Sequence, residues 1–331
     1  MIKSGFIFST ASFVIAVSFS LHANPINNPI LTSNRYPFVQ VFHLPKAVSG
    51  KLIEPDAWKS ALQFEWSNSF YTATANNELL FIDGESYRTT ASAFYGLSHH
   101  WELGIELPYV AHTGGVLDNA IETWHDWFDL PNADREDFPQ DEIAFIYRRN
   151  GEDIFNLNDS ANGMGGLTFH VGYQWYRQGQ EAIAWRSGVK LPTGNAEKFT
   201  DSEGTDIFSG IYYSNDRLIA LEQWSLHASV GLLYTSDGKL NEDSRKNTIF
   251  YASSTVAWQI MESLSLKIQL DGHTGFYDSE LKELNDASIQ IAYGGSFALG
   301  KSWFIDLTMT EDIQVAMSPD VVFQLGVRSL Y

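Results

Sequence analysis

Ionisable side chains recur on one alternating face of this 331-residue chain. They are Lys59, Glu65, Arg88, Glu102, Glu106, His170, Arg186, Lys190, Lys267, Asp271, Asp306 and Arg328. Both signs are present, and two kinds of chemistry follow. Facing rows of acid and base set a transverse field across a passing solute, as in a selective pore. The same groups can instead fill an interior with salt bridges, because buried charge needs a partner. Spacing alone leaves both open.

A second constellation lies in residues 113–165. Residues 116–129 have helical spacing, with Ile121, Trp124, Trp127 and Phe128 near one side and Pro131 as the stop. Trp124, His125, Trp127 and Phe128 are the candidate gate. The helix can fold into a mouth, or lie on a rim with its Trp residues at lipid head groups. Acid is dense here, including Asp118, Glu122, Asp126, Asp129, Asp134, Glu136, Asp137, Asp141 and Glu142. Such a cluster could share divalent cations with lipopolysaccharide phosphates, since hard cations take oxygen ligands. No Asp-x-Asp-x-Asp-Gly loop occurs, so most of this acid reads as a solvated face. No metal site and no cofactor are expected.

Catalysis would need Ser or metal-bound water beside a His. His112, His125 and His273 fall near one set of strand ends, with Asp278 and Ser279 near the last. There is no Gly-x-Ser-x-Gly element. Gly163, Gly165 and Gly166 lack the Lys-Ser/Thr of a phosphate loop. The chain is therefore not expected to be an enzyme; an outer-leaflet lipid hydrolase is the minor alternative.

The elements that position these groups have period two. Trp101, Leu103, Ile105, Leu107 and Tyr109 alternate with Glu102, Gly104, Glu106 and Pro108. Leu264, Leu266, Ile268 and Leu270 do the same, as do Trp303, Ile305, Leu307 and Met309, and Phe323, Leu325, Val327 and Tyr331. The runs are about ten residues long, with aromatics at their ends. That is the signature of a transmembrane antiparallel β-barrel, whose closed wall leaves no sheet edge to lipid. A soluble sandwich also alternates, but its strands are shorter.

Short links near 98–100, 178–180, 214–217, 259–262 and 300–301 alternate with long polar links near 71–84, 112–165, 192–205, 236–246 and 272–285. This predicts about twelve strands, short periplasmic turns and long extracellular loops. Residues 143–157 read as a hairpin inside the second loop, turning at Asn150-Gly151. A fourteen-strand barrel that uses them is the alternative.

Residues 1–23 have a signal-peptide layout: Lys3, a short apolar core, then Ala23 at the cut. Residues 24–56 form a periplasmic segment rich in Pro yet too apolar for a free tail, able to tuck into the lumen and narrow it. Residues 57–331 form the barrel. The chain carries 21 Lys+Arg against 40 Asp+Glu, a formal charge of −19 and no Cys. Acidity argues against nucleic acid. The absence of Cys excludes disulfides and thiolate metal sites. Aromatics are 14% of residues, although the mean hydropathy is only −0.17.

Several stretches share a family likeness: Asn34-Arg35-Tyr36-Pro37-Phe38, Leu103-Gly104-Ile105-Glu106-Leu107-Pro108-Tyr109, Lys190-Leu191-Pro192-Thr193-Gly194 and Pro319-Asp320-Val321-Val322-Phe323. Together they resemble the proteobacterial outer-membrane β-barrel family known as domain of unknown function three-one-eight-seven. The resemblance spans nearly the whole mature chain and implies an integral outer-membrane barrel in a Gram-negative envelope. It brings no established activity, so no site residue is carried over. Expected partners are outer-membrane lipid and lipopolysaccharide, and the barrel-assembly machinery through the C-terminal strand ending at Tyr331. The leading functional expectation is a passive porin-like channel for small solutes. The alternative is a structural or surface-interaction barrel with a plugged lumen.

Overall fold

A computed structural model describes residues 25–128, 138–218, 221, 223–240, 244–314 and 317–331. The expected signal peptide, at 1–23, lies outside the described residues, as do Asp129, Pro131, Asp134, Glu136 and Asp137.

Twelve antiparallel strands close into a barrel. They are β1 (Trp58–Ala75), β2 (Glu78–Gly96), β3 (Trp101–Thr113), β7 (Thr168–Gln178), β8 (Glu181–Lys190), β9 (Asp206–Asn215), β10 (Trp224–Thr235), β11 (Thr248–Met261), β12 (Leu264–His273), β13 (Ser288–Leu299), β14 (Trp303–Gln314) and β15 (Val321–Leu330). Each pairs with its neighbour in sequence, and β3 passes over the second loop to reach β7. The wall closes where β1 meets β15, from Lys59 opposite Leu330 to Asn68 opposite Val321. The terminal residue completes the seam: Trp58 N donates to Tyr331 O at 2.7 Å, and Tyr331 N to Trp58 O at 2.8 Å.

Alternation assigns the faces. Leu307 is 62% exposed and Ile268 57%, whereas their neighbours Thr308 and Gln269 are buried. Outward Leu, Ile, Val and Phe side chains circle the whole barrel. A soluble monomer rarely exposes an apolar patch beyond about 300–600 Å², so a band of this extent needs lipid against it. Aromatic pairs ring the end where the short turns lie. Ring centroids are 4.8 Å apart in Trp58–Tyr95 and Trp101–Tyr173, 5.5 Å in Trp224–Trp258 and 5.9 Å in Trp303–Tyr331. This is where an interfacial girdle belongs.

Among its described residues the second loop holds a helix, α2 (Asp118–Phe128), and three short strands: β4 (Ala144–Arg149), β5 (Glu152–Leu157) and β6 (Ala161–Met164). The hairpin β4–β5 turns at Asn150 and Gly151, with φ of 54° and 84°. Both values suit the two-residue turn that matches strand twist. The hairpin extends the wall by pairing β4 with Glu78–Asp83 of β2, and β6 pairs with the far end of β3. The barrel is therefore twelve-stranded, not fourteen.

One expectation needs correction. Residues 71–84 are not a long loop: β1 and β2 run on to a two-residue turn at Asn76-Asn77. Their outer ends lack apolar alternation because they rise beyond the apolar band, so the pattern that marks a membrane strand stops before the strand does.

Candidate functional site

The lumen is occupied by the chain's own residues 25–55. The segment enters at the turn end. Arg328 Nη1 donates to Pro25 O at 2.7 Å, and Asn27 Nδ2 donates to Ser225 Oγ at 3.0 Å. It climbs past β12, where Ile30 N donates to Gln269 Oε1 and Gln269 Nε2 donates back to Ile30 O, at 3.0 and 3.1 Å. Gln63 and Gln324 both donate to Leu31 O. The segment turns over at α1 (Pro37–Gln40), whose start suits Pro, since Pro lacks the N–H that an opening helical turn leaves unused. It then descends. Lys190 Nζ donates to Val41 O at 3.2 Å, His43 N to Asp206 Oδ2 at 2.9 Å and Gly50 N to Ser214 Oγ at 2.8 Å. Near the exit, Leu52 N donates to Gln174 Oε1 and Ile53 N to Glu102 Oε2. Gly50 lies hard against the wall, where a Cβ would sit 2.5 Å from Tyr212 O.

This segment has no strand partner, so side chains must satisfy its peptide groups. The inward glutamines Gln63, Gln174, Gln269 and Gln324 do so because a primary amide both donates and accepts. Attention to charge misses them. Their signal in the sequence is a neutral amide in the inward phase of a strand.

Most predicted lumen residues pair with this segment or with one another. Arg35 Nε lies 2.8 Å from Glu65 Oε1, and Lys46 Nζ lies 2.9 Å from Glu106 Oε1. Arg88 Nη1 donates to Gln40 O at 3.3 Å. Arg186 pairs with Glu102 and donates to Ser49 O. Lys190 sits 3.1 Å from both Asp201 and Asp206. Arg328 pairs with Asp306 at 2.6 Å, and Lys267 approaches the same carboxylate at 3.9 Å. Asp271 accepts from Gln269 at 2.8 Å. His170 meets His43 edge-on, 5.4 Å between centroids. On the loop side, burial pushes the Asp201 carboxyl up and Lys190 pulls it back.

At the loop end the lumen is filled by an apolar cluster. Phe38, Phe42, Phe155, Phe199, Phe276 and Tyr277 meet there, with Phe145 and Tyr147 from β4. Phe38 lies 4.9 Å from Phe155 and 5.4 Å from Phe199, and Phe42 stacks on Phe276 at 5.1 Å. Tyr277 donates to Phe38 O at 2.8 Å, and burial raises its phenol far above the ordinary value. The cap thus joins the apex of the internal segment to three loops. On α2, Trp127 is largely exposed. The side chains of Trp124, His125 and Phe128 lie outside the described residues. His112 and His273 are buried in structural contacts: His112 with Ser86 Oγ and Phe199 O, His273 with Asn34 Nδ2 and Thr274 O.

Below the cap a cavity of about 730 Å³ reaches the turn end. His43, Lys46, Glu106, His170 and Phe208 line its inner end, and Glu54, Ala57, Lys301 and Leu330 its mouth. No group of three or more His, Asp or Glu side chains suited to a metal occurs among the described residues.

A family profile described as "Protein of unknown function (DUF3187)" matches residues 6–331. No curated protein matches the sequence. Among solved structures, the COG4313 outer membrane channel from Pseudomonas putida F1 superposes with a TM-score of 0.57 at 14% identity, over 85% of this chain and 96% of that one. The NanC porin gives 0.47 at 9% identity, over 81% and 98%. The first likeness shows a shared fold: in general architecture this barrel resembles an outer-membrane channel.

Proposed function

The chain belongs to the DUF3187 family, and from that premise we propose that it is an integral outer-membrane channel for small solutes that rests closed. The turn end faces the periplasm and the loop end faces outside, as short turns and long loops do in bacterial barrels. The closure is the internal segment 25–55 with the aromatic cap at its apex.

One observation carries the reading. The cavity of about 730 Å³ opens at the turn end and stops beneath the cap. A barrel built only as a wall has no need of a vestibule of this size. Conduction would follow displacement of α1 from Phe155, Phe199 and Tyr277, by diffusion and without a cofactor. Planar-bilayer recording tests it. Wild-type protein is expected to open rarely, and Phe38→Ala to open more often. Silence from both proteins, with solute exclusion in liposome swelling, would leave the plugged structural barrel. That second reading draws on the many wall side chains that hold the segment's peptide groups, as in a permanent core.

A further inference from the structure

The turn-end cavity departs from the charge of the chain that builds it. The whole chain has 21 Lys+Arg against 40 Asp+Glu. The cavity lining has seven Lys and Arg against three Glu. Five of the seven are matched: Lys46 by Glu106, Lys51 by Asp216, Arg177 by Glu54, Arg186 by Glu102 and Arg328 by Asp306. Lys59 and Lys301 have no ion-pair partner among the described residues.

These two cations are near neighbours in the fold. Lys59 on β1 lies opposite Leu330 on β15, and Leu330 N donates to Ser302 O in the turn that carries Lys301. Arg328 lies two residues from Leu330 and is held by Asp306. Two of the paired cations already cover aromatic rings of the lining. Arg328 lies over Phe304 at 4.8 Å and Arg186 over Tyr212 at 5.9 Å, and both rings line the cavity. A site with two free cations beside apolar lining such as Leu330 and Phe304 suits a ligand with one anionic end and an apolar body. An inorganic anion would leave the apolar lining unused. A neutral apolar ligand would leave the ammonium groups without a counter-charge.

We propose that this cavity binds amphipathic organic carboxylates, the carboxylate between Lys59 and Lys301 and the apolar body against the neighbouring apolar lining, Leu330 and Phe304. The site deepens the channel reading, since its ligand would be the solute that enters or leaves by the periplasmic end.

Titration calorimetry on the full chain in detergent tests it, with hexanoate as probe and hexanamide, hexylammonium and inorganic phosphate as comparators. Hexanoate is expected to bind roughly tenfold tighter than hexanamide, a difference of about 1.4 kcal/mol, and to weaken as salt rises. Lys59→Gln and Lys301→Gln are each expected to weaken hexanoate and leave hexanamide unchanged. Heat-modifiable gel migration reports whether each variant is folded, and Lys301 lies on an exposed turn where substitution leaves the wall intact. Equal binding of hexanoate and hexanamide overturns the proposal. So does phosphate binding as tightly as hexanoate, or unchanged affinity in both folded variants. Bilayer recording separates the two readings. Hexanoate binding without any conductance sinks the channel and keeps the site, whereas conductance without hexanoate binding does the reverse.

Discussion

At the scale of single residues, the lumen is organised around satisfying one chain that has no strand partner. Gln269 exchanges two hydrogen bonds with Ile30, as a neighbouring strand would. Each such bond contributes about 0.5–1.5 kcal/mol net, and an orphaned buried partner costs more. Gln269→Leu is therefore expected to lower the temperature at which the barrel loses heat-modifiable migration, and to raise protease cleavage within residues 25–55. An unchanged cleavage pattern would show that the segment is held elsewhere. Glu106→Gln goes further, because it leaves the buried Lys46 cation without its carboxylate. Breaking a buried pair typically costs about 3–5 kcal/mol. The expected outcome is more frequent channel opening, read by bilayer recording, with the barrel still folded. The charged residues of the inward face were visible in the sequence. Their partners were not, because Arg35, Lys46 and the peptide groups of 25–55 lie far from them in the chain and carry no alternating pattern.

At the scale of elements, the strands were legible because lipid imposes a strict rule on one face. Leu264 to Leu270 and Trp303 to Met309 show it plainly. The rule lapses above the membrane, which hid the outer ends of β1 and β2 at 71–84. The β4–β5 hairpin was legible from its turn, since Asn150-Gly151 is suited to two positive φ angles. That the hairpin buries Phe155 against Phe38 was not legible, because no local pattern records a contact between chain positions this distant. Gly151→Val places a β-branched side chain at a φ of 84°, which costs at least about 1–2 kcal/mol. It is expected to loosen the hairpin and raise open probability while leaving the barrel heat-modifiable. Unaltered gating in a folded Gly151→Val protein would separate the hairpin from the closure.

At the scale of the molecule, an acidic chain of mild average hydropathy becomes a barrel with lipid outside, an aromatic cap at one end and a cation-rich vestibule at the other. The central claim is that residues 25–55 close this barrel and move when it opens. Ser49 Oγ on the segment lies 3.1 Å from Ser214 Oγ on β9, and the chain has no Cys of its own. A Ser49→Cys, Ser214→Cys protein therefore allows a single defined cross-link between segment and wall. The decisive measurement is bilayer conductance of this protein, oxidised and then reduced. The account predicts no openings when it is oxidised and wild-type openings after reduction. Conductance in the fully cross-linked protein equal to that of the reduced form would contradict it.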